Sequence, residues 1–146
     1  MRIEEAGHEH LDAWVRLRSE LWPGDSIEHH RSELEQLRSD EGAIGLVAID
    51  AADHVVGFAE ATLRHDYVNG CDTSPVLFLE GIYVRHEHRR QGIAQALCQA
   101  VADWGRAAGC VEFASDARID NLDSHAFHNA LGFVETQRVV YFRKSL

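Results

Sequence analysis

From Val76 to Ala107 the chain runs through an apolar stretch, a turn crowded with arginines around one glycine, and a long amphipathic stretch. No other segment constrains the fold as strongly. Val76 to Val84 is apolar on both alternating faces, so it predicts an inner strand covered on both sides. Gly81 interrupts it, and a glycine there marks a bulge or a close backbone approach by another group. Ile93, Leu97, Val101 and Trp104 recur at helical spacing and predict a helix over 91–107, with Gly109 just past its end. Between strand and helix lie Arg85, Arg89, Arg90 and Gly92. The free amides of Gln91 to Ala94, the helix dipole and three cations favour a phosphate at this turn. Gly92 lets a ligand approach the backbone closely. The competing reading is a basic strand-to-helix turn that binds nothing.

The remaining pattern predicts an α/β arrangement with a mixed sheet. Residues 1–6 read as a first strand. Leu11, Trp14, Val15 and Leu21 predict a helix over roughly 8–21, broken at Pro23-Gly24. Ser26 is positioned to cap a second helix carrying Ile27, Leu34 and Leu37. Ala43 to Ile49 and Val55 to Leu63 read as two strands joined by a hairpin loop at 50–54. Residues 65–75 hold most of the turn formers and predict a loop carrying a semi-exposed Tyr67. Cys110 to Ser115 is another strand. Asp120 or Asn121 can cap a helix running to about Leu131, closed by Gly132, and Phe133 to Arg143 reads as the last strand. No repeat or linker divides the chain, and one domain over 1–146 is expected.

Charge narrows the partners. Lys and Arg number 14 against 24 Asp and Glu, for a formal net charge of -10. Such a surface argues against a nucleic-acid partner and attracts cations. The N-terminus lacks an apolar signal core, and no apolar run is long enough to span a bilayer, so a cytoplasmic chain that engages no membrane is expected. Cys71, Cys98 and Cys110 form no CxxC pair and are expected as free thiols, with Cys98 and Cys110 packed as small apolar residues.

The turn Arg89-Arg90-Gln91-Gly92-Ile93-Ala94 resembles Arg-x-x-Gly-x-Ala, the acetyl-CoA signature of the GNAT N-acetyltransferases. It lacks the Gly-Lys-Ser/Thr of a Walker loop and the glycine spacing of a Rossmann fingerprint. The order of elements is also that of GNAT proteins. The resemblance implies a strand splayed from Cys110–Ser115, with acetyl-CoA, the cosubstrate, in the gap. It further implies coenzyme contacts at Ile82, Tyr83, Val84, Arg89, Arg90, Gln91, Gly92, Ile93, Ala94, Gln95 and Asn121. Longer strings narrow it. Arg64 to Asp72, Phe78 to Ile82, Ala114-Ser115-Asp116, Leu21 to Gly24 and Phe142 to Lys144 look like the aminoglycoside 6′-N-acetyltransferases of bacterial resistance. That likeness covers nearly the whole chain and implies a homodimer, often with one subunit contributing to the other's acceptor site.

An aminoglycoside is a sugar polycation, and a site for it needs carboxylates and an aromatic wall. By resemblance, Trp22, Tyr67, Glu80 and Asp116 contact it. Glu80 has a second reading as a carboxylate satisfied within the sheet, and Trp22 as a hydrophobic plug after the first helix. Asp116 is the candidate base for the attacking ammonium, with a salt bridge to the substrate as its competing role. Backbone amides near Ile82 would polarise the thioester carbonyl. Two positions depart from pattern. His128 stands where many GNAT enzymes carry a tyrosine as acid for the leaving thiolate. Gln137 stands where the resistance enzymes carry a substrate-binding glutamate, and it can accept a hydrogen bond but supplies no charge. The pairs His8/His10 and His86/His88 show no third ligand, so no metal site is expected. Two alternatives to an aminoglycoside enzyme are a GNAT acting on another small-molecule or protein amine and a non-catalytic acyl-CoA-binding module.

Overall fold

A computed structural model describes residues 1–146. Its five strands form one sheet in the order β1-β2-β3-β4-β5, with β1 Arg2–Glu5, β2 Ala43–Ile49, β3 Val55–Arg64, β4 Val76–Val84 and β5 Phe113–Ala114. The first three pairings are antiparallel, and β4–β5 is parallel. The helices are α1 Leu11–Leu21, α2 Ile27–Ser39, α3 Ile93–Ala107 and α4 Leu122–Ala130.

Strand alternation divides the core between the two faces of the sheet. On one face, Leu46, Ala59, Leu77 and Leu79 pack with Ile93, Leu97 and Val101 of α3. On the other, Val47, Ile49 and Phe58 pack with Trp14, Leu17 and Leu34 of α1 and α2. Local chemistry sets the helix starts. The Ser26 hydroxyl accepts from the His29 amide at 3.1 Å and caps α2, and the Asn121 side-chain oxygen accepts from the Ser124 amide at 3.1 Å and caps α4. In the 50–54 hairpin, Asp50 Oδ1 accepts from the amides of Ala52 and His54.

Several expected boundaries shift. His8–His10 forms a 3-10 turn, and the α-helix starts only at Leu11. Helix α3 starts at Ile93, because Gly92 is its N-cap in a left-handed conformation. The strand expected over 110–115 shrinks to Phe113–Ala114, which pair only with Leu77 and Phe78. Beyond that point β4 and β5 part. The strand expected over Phe133–Arg143 is a correction: residues 133–146 form no helix or strand and pair with no strand of their own chain. Val140, Tyr141 and Phe142 stand exposed there, so nothing within the chain supplies the ladder that a strand requires.

Candidate active site

The register between β3 and β4 slips beside Glu60, so that Glu60 faces Gly81 while Ala61 faces Leu79. Glu80 is the extra residue, and the strand bulges there. The indole of Trp22, just past α1, lies against Gly81 and occupies the space a side chain would need. Both readings of the glycine therefore hold at once. Trp22 is held on several sides. Arg18 sits over its ring at 4.9 Å, Phe58 lies 6.3 Å away between ring centroids, and its carbonyl meets His30 Nε2 at 3.1 Å.

Glu80 faces the same side of the sheet. Its Oε1 accepts from the Thr62 hydroxyl at 2.6 Å, and Arg64 donates to both carboxylate oxygens at 2.9 and 3.0 Å. The Arg64 guanidinium also stacks on Phe78 at 3.4 Å. Glu80 is thus satisfied within the sheet, yet 31% of its side chain stays exposed. Asp116 follows β5 and is exposed. Tyr67 is 77% exposed on the 65–75 loop. Thr136 lies against Gly70 of that loop, and the neighbouring Gln137 is exposed.

A buried ionic group beneath Trp22 is absent from the sequence reading. Glu60 is 3% exposed and accepts from the Trp14 indole at 3.0 Å. Arg18 Nε approaches its Oε1 to 3.1 Å, but without hydrogen-bond geometry. The guanidinium donates instead to Glu33 at 2.7 Å. Burial outweighs the attraction of Arg18 and pushes the Glu60 carboxyl up to about 7. The signal was present in the sequence: a lone carboxylate inside the apolar run Val55–Leu63.

Just past the C-terminal end of β4 stands the arginine-rich turn. Ile82, Tyr83 and Val84 pair with β3 on one side and with no strand on the other, because β5 has already parted. The Val84 carbonyl accepts from Arg89 Nε at 2.9 Å, and Arg89 lies 5.4 Å over the Tyr83 ring. Arg90 and Gly92 adopt positive φ of 62° and 77°, and nothing lies within 4 Å of a side chain placed at Gly92. The opening amides of α3 at Ile93, Ala94 and Gln95 precede Ala96, whose amide bonds the Gly92 carbonyl at 3.0 Å, and so remain available to a ligand. An open, glycine-cradled helix start with two adjacent arginines fits a pyrophosphate. The Asn121 side-chain oxygen is engaged in capping α4, which leaves its amide NH2 for a ligand.

The three cysteines are unpaired. Burial raises the thiols of Cys98 and Cys110 above the ordinary range, as suits packing residues. His10 accepts from the Gly7 amide at 2.9 Å, His88 faces Asp50 at 3.7 Å, and no three His, Cys, Asp or Glu side chains converge on one point.

Residues 11–133 match the acetyltransferase (GNAT) family. The chain is 50% identical over 139 residues to an aminoglycoside N(6')-acetyltransferase type 1 of Serratia marcescens, covering 95% of both. It is 46% identical to the protein of that name from Salmonella typhimurium, covering 99% of both. Among solved structures, the aminoglycoside antibiotic 6'-N-acetyltransferase AAC(6')-IG from Acinetobacter haemolyticus superposes with a TM-score of 0.96 at 45% identity, over 100% of this chain and 99% of that one. AAC(6')-Iy in complex with the bisubstrate analog CoA-S-monomethyl-acetylneamine superposes with a TM-score of 0.94 at 43% identity, over 99% and 98%. Matched by the family over most of its length and by relatives from end to end, the chain belongs to the GNAT acetyltransferases.

Proposed function

We propose that this enzyme transfers the acetyl group of acetyl-CoA to the 6′-amine of aminoglycoside antibiotics and so confers resistance. The observation that carries the reading is the pairing of two half-sites along one strand. An open, arginine-flanked helix start lies past the C-terminal end of β4, and a wall of Trp22 and Glu80 lies at its bulge. End-to-end likeness to proteins named for that reaction supports it.

Gln91 to Gln95, with Arg89 and Arg90, bind the coenzyme's phosphates through amides and charge. The unpaired edge at Ile82, Tyr83 and Val84 hydrogen-bonds its pantetheine arm, and the Asn121 amide reaches it from α4. The thioester supplies the acetyl group and a thiol leaving group. Amides beside the bulge polarise its carbonyl. Trp22 and Tyr67 line the acceptor, and Glu80, Asp116 and Gln137 receive its ammonium and hydroxyl groups. Asp116, exposed and at the mouth of the β4–β5 gap, takes the proton that the attacking ammonium must lose.

The working form is a homodimer in the cytoplasm, built from one domain per chain. The unpaired, apolar 139–142 segment supports an arm that lies on a second copy, where it finds the ladder its own chain lacks. No helix is long and apolar enough to cross a membrane. The experiment is thiol release from acetyl-CoA with kanamycin, tobramycin, gentamicin, spermidine and a peptide amine as acceptors. Turnover on the aminoglycosides alone is expected. Preference for spermidine or the peptide would reassign the acceptor, and no turnover with coenzyme still bound would leave a binding module.

A further inference from the structure

Ser115 and His128 form a hydrogen-bonded pair where β4 and β5 part. Ser115 Oγ lies 2.7 Å from His128 Nε2 and 3.4 Å from the carbonyl oxygen of Leu79. His128 Nδ1 lies 2.7 Å from the carbonyl oxygen of Ser124. A carbonyl oxygen only accepts, so Nδ1 carries hydrogen. Phe127 and Phe133 stand edge-on to the imidazole, at 6.3 and 5.5 Å between centroids, and hold its plane.

That tautomer fixes the direction of the second bond. A neutral ring accepts from the Ser115 hydroxyl. A protonated ring donates from Nε2 to Ser115 Oγ and frees the hydroxyl hydrogen to turn toward the gap. Both ring nitrogens are engaged in either state. A proton passing between His128 and the gap therefore passes through Ser115.

We propose that Ser115 is a further catalytic residue: its hydroxyl protonates the departing thiolate, with His128 behind it as the proton source. This rests on the acetyl-transfer reading. The ammonium acceptor brings three protons on nitrogen, and the amide keeps one. Two leave through Asp116 to solvent, and one equivalent returns from solvent to His128. As the carbon–sulfur bond breaks, its electron pair goes to sulfur. The Ser115 hydroxyl proton moves to that sulfur, and the Nε2 proton of His128 moves to Ser115 Oγ. The ring ends neutral, with Nδ1 still bonded to Ser124, and the net reaction releases one proton.

The test combines kinetics with binding. Ser115→Ala and His128→Gln should each lower kcat by about 10-fold to 10²-fold, with little change in either Michaelis constant. The double variant should be no slower than the slower single one, because the two groups act as one relay. Ser115→Thr keeps the hydroxyl and should keep most of the rate. Calorimetric titration supplies a readout apart from activity. Wild type should bind CoA more tightly than desulfo-CoA, and Ser115→Ala should lose that preference while binding desulfo-CoA as before. An unchanged kcat in an active Ser115→Ala enzyme, multiplicative losses in the double variant, or a retained preference for CoA would overturn the relay alone. A wild type that neither binds CoA nor acetylates an aminoglycoside would remove the acetyl-transfer reading and the relay with it.

Discussion

The indole of Trp22 fills the space above Gly81 that any side chain at position 81 would need. The contact joins the end of α1 to the bulge of β4, so one wall of the acceptor site depends on a glycine in the strand beneath it. Gly81→Ala should push Trp22 out of place. Overpacking of this kind costs about 1–3 kcal/mol. The Michaelis constant for the aminoglycoside should rise well beyond that for acetyl-CoA, since the displaced Trp22 lines the acceptor and the arginine-rich turn lies beyond the strand's C-terminal end. Urea unfolding and steady-state kinetics on both substrates check this. Equal effects on the two constants would contradict it.

Gly92 presents the opposite case, with a positive φ and open space around it. A side chain there meets backbone strain of about 1–2 kcal/mol but no clash. Gly92→Glu should therefore fold, and its carboxylate should block and repel the coenzyme's phosphates. Calorimetric titration with CoA should show binding lost. Near-normal affinity would remove this turn from the coenzyme site.

The buried carboxyl of Glu60 gives a pH signature. In the folded chain it holds its proton up to about 7, against an ordinary value of 4.5. Between those values the folded state binds more protons than the unfolded state. The stabilisation is complete below about 4.5 and is lost as pH rises through about 7. The shift corresponds to about 3 kcal/mol. Glu60→Gln keeps an oxygen for the Trp14 indole and removes the titration. Urea denaturation of both proteins at pH 5 and pH 8 should show wild type losing more stability between the two. Parallel losses would mean that Arg18 keeps Glu60 ionised throughout.

Asp116→Asn should keep the fold and coenzyme binding, since the side chain is exposed. Loss of a general base lowers the rate by about 10²–10⁴-fold. Turnover on kanamycin should fall and recover in part as pH rises and supplies free amine. An unchanged turnover with a raised Michaelis constant would leave Asp116 as a cation-binding residue only.

The strand-turn-helix around Gly92 was legible because each local signal agrees with the tertiary role: an apolar strand, a glycine at positive φ and a 3.6-residue repeat. The cap at Ser26 was legible for the same reason, and the cap of α4 was narrowed to Asp120 or Asn121, of which the structure uses Asn121. The β4–β5 pairing was not legible in its length. Cys110 to Ser115 has strand composition throughout, but only Phe113 and Ala114 find a ladder partner before the strands part. The same limit applies to Phe133–Arg143, whose pattern describes a strand without naming the partner it requires. Glu80 was placed in the site by resemblance, with satisfaction inside the sheet as its second reading, and the partners that satisfy it, Arg64 and Thr62, are set by cross-strand register. The Ser115–His128 pair is set by how α4 docks beside β5, which no local pattern encodes.

The most direct test of the central claim is to acetylate kanamycin with the purified protein and acetyl-CoA and to locate the acetyl group by NMR. The account predicts a single product carrying one acetyl group on the 6′-nitrogen, with one thiol released for each acetyl transferred. Acetylation at another nitrogen, or thiol release without an acetylated aminoglycoside, would contradict it.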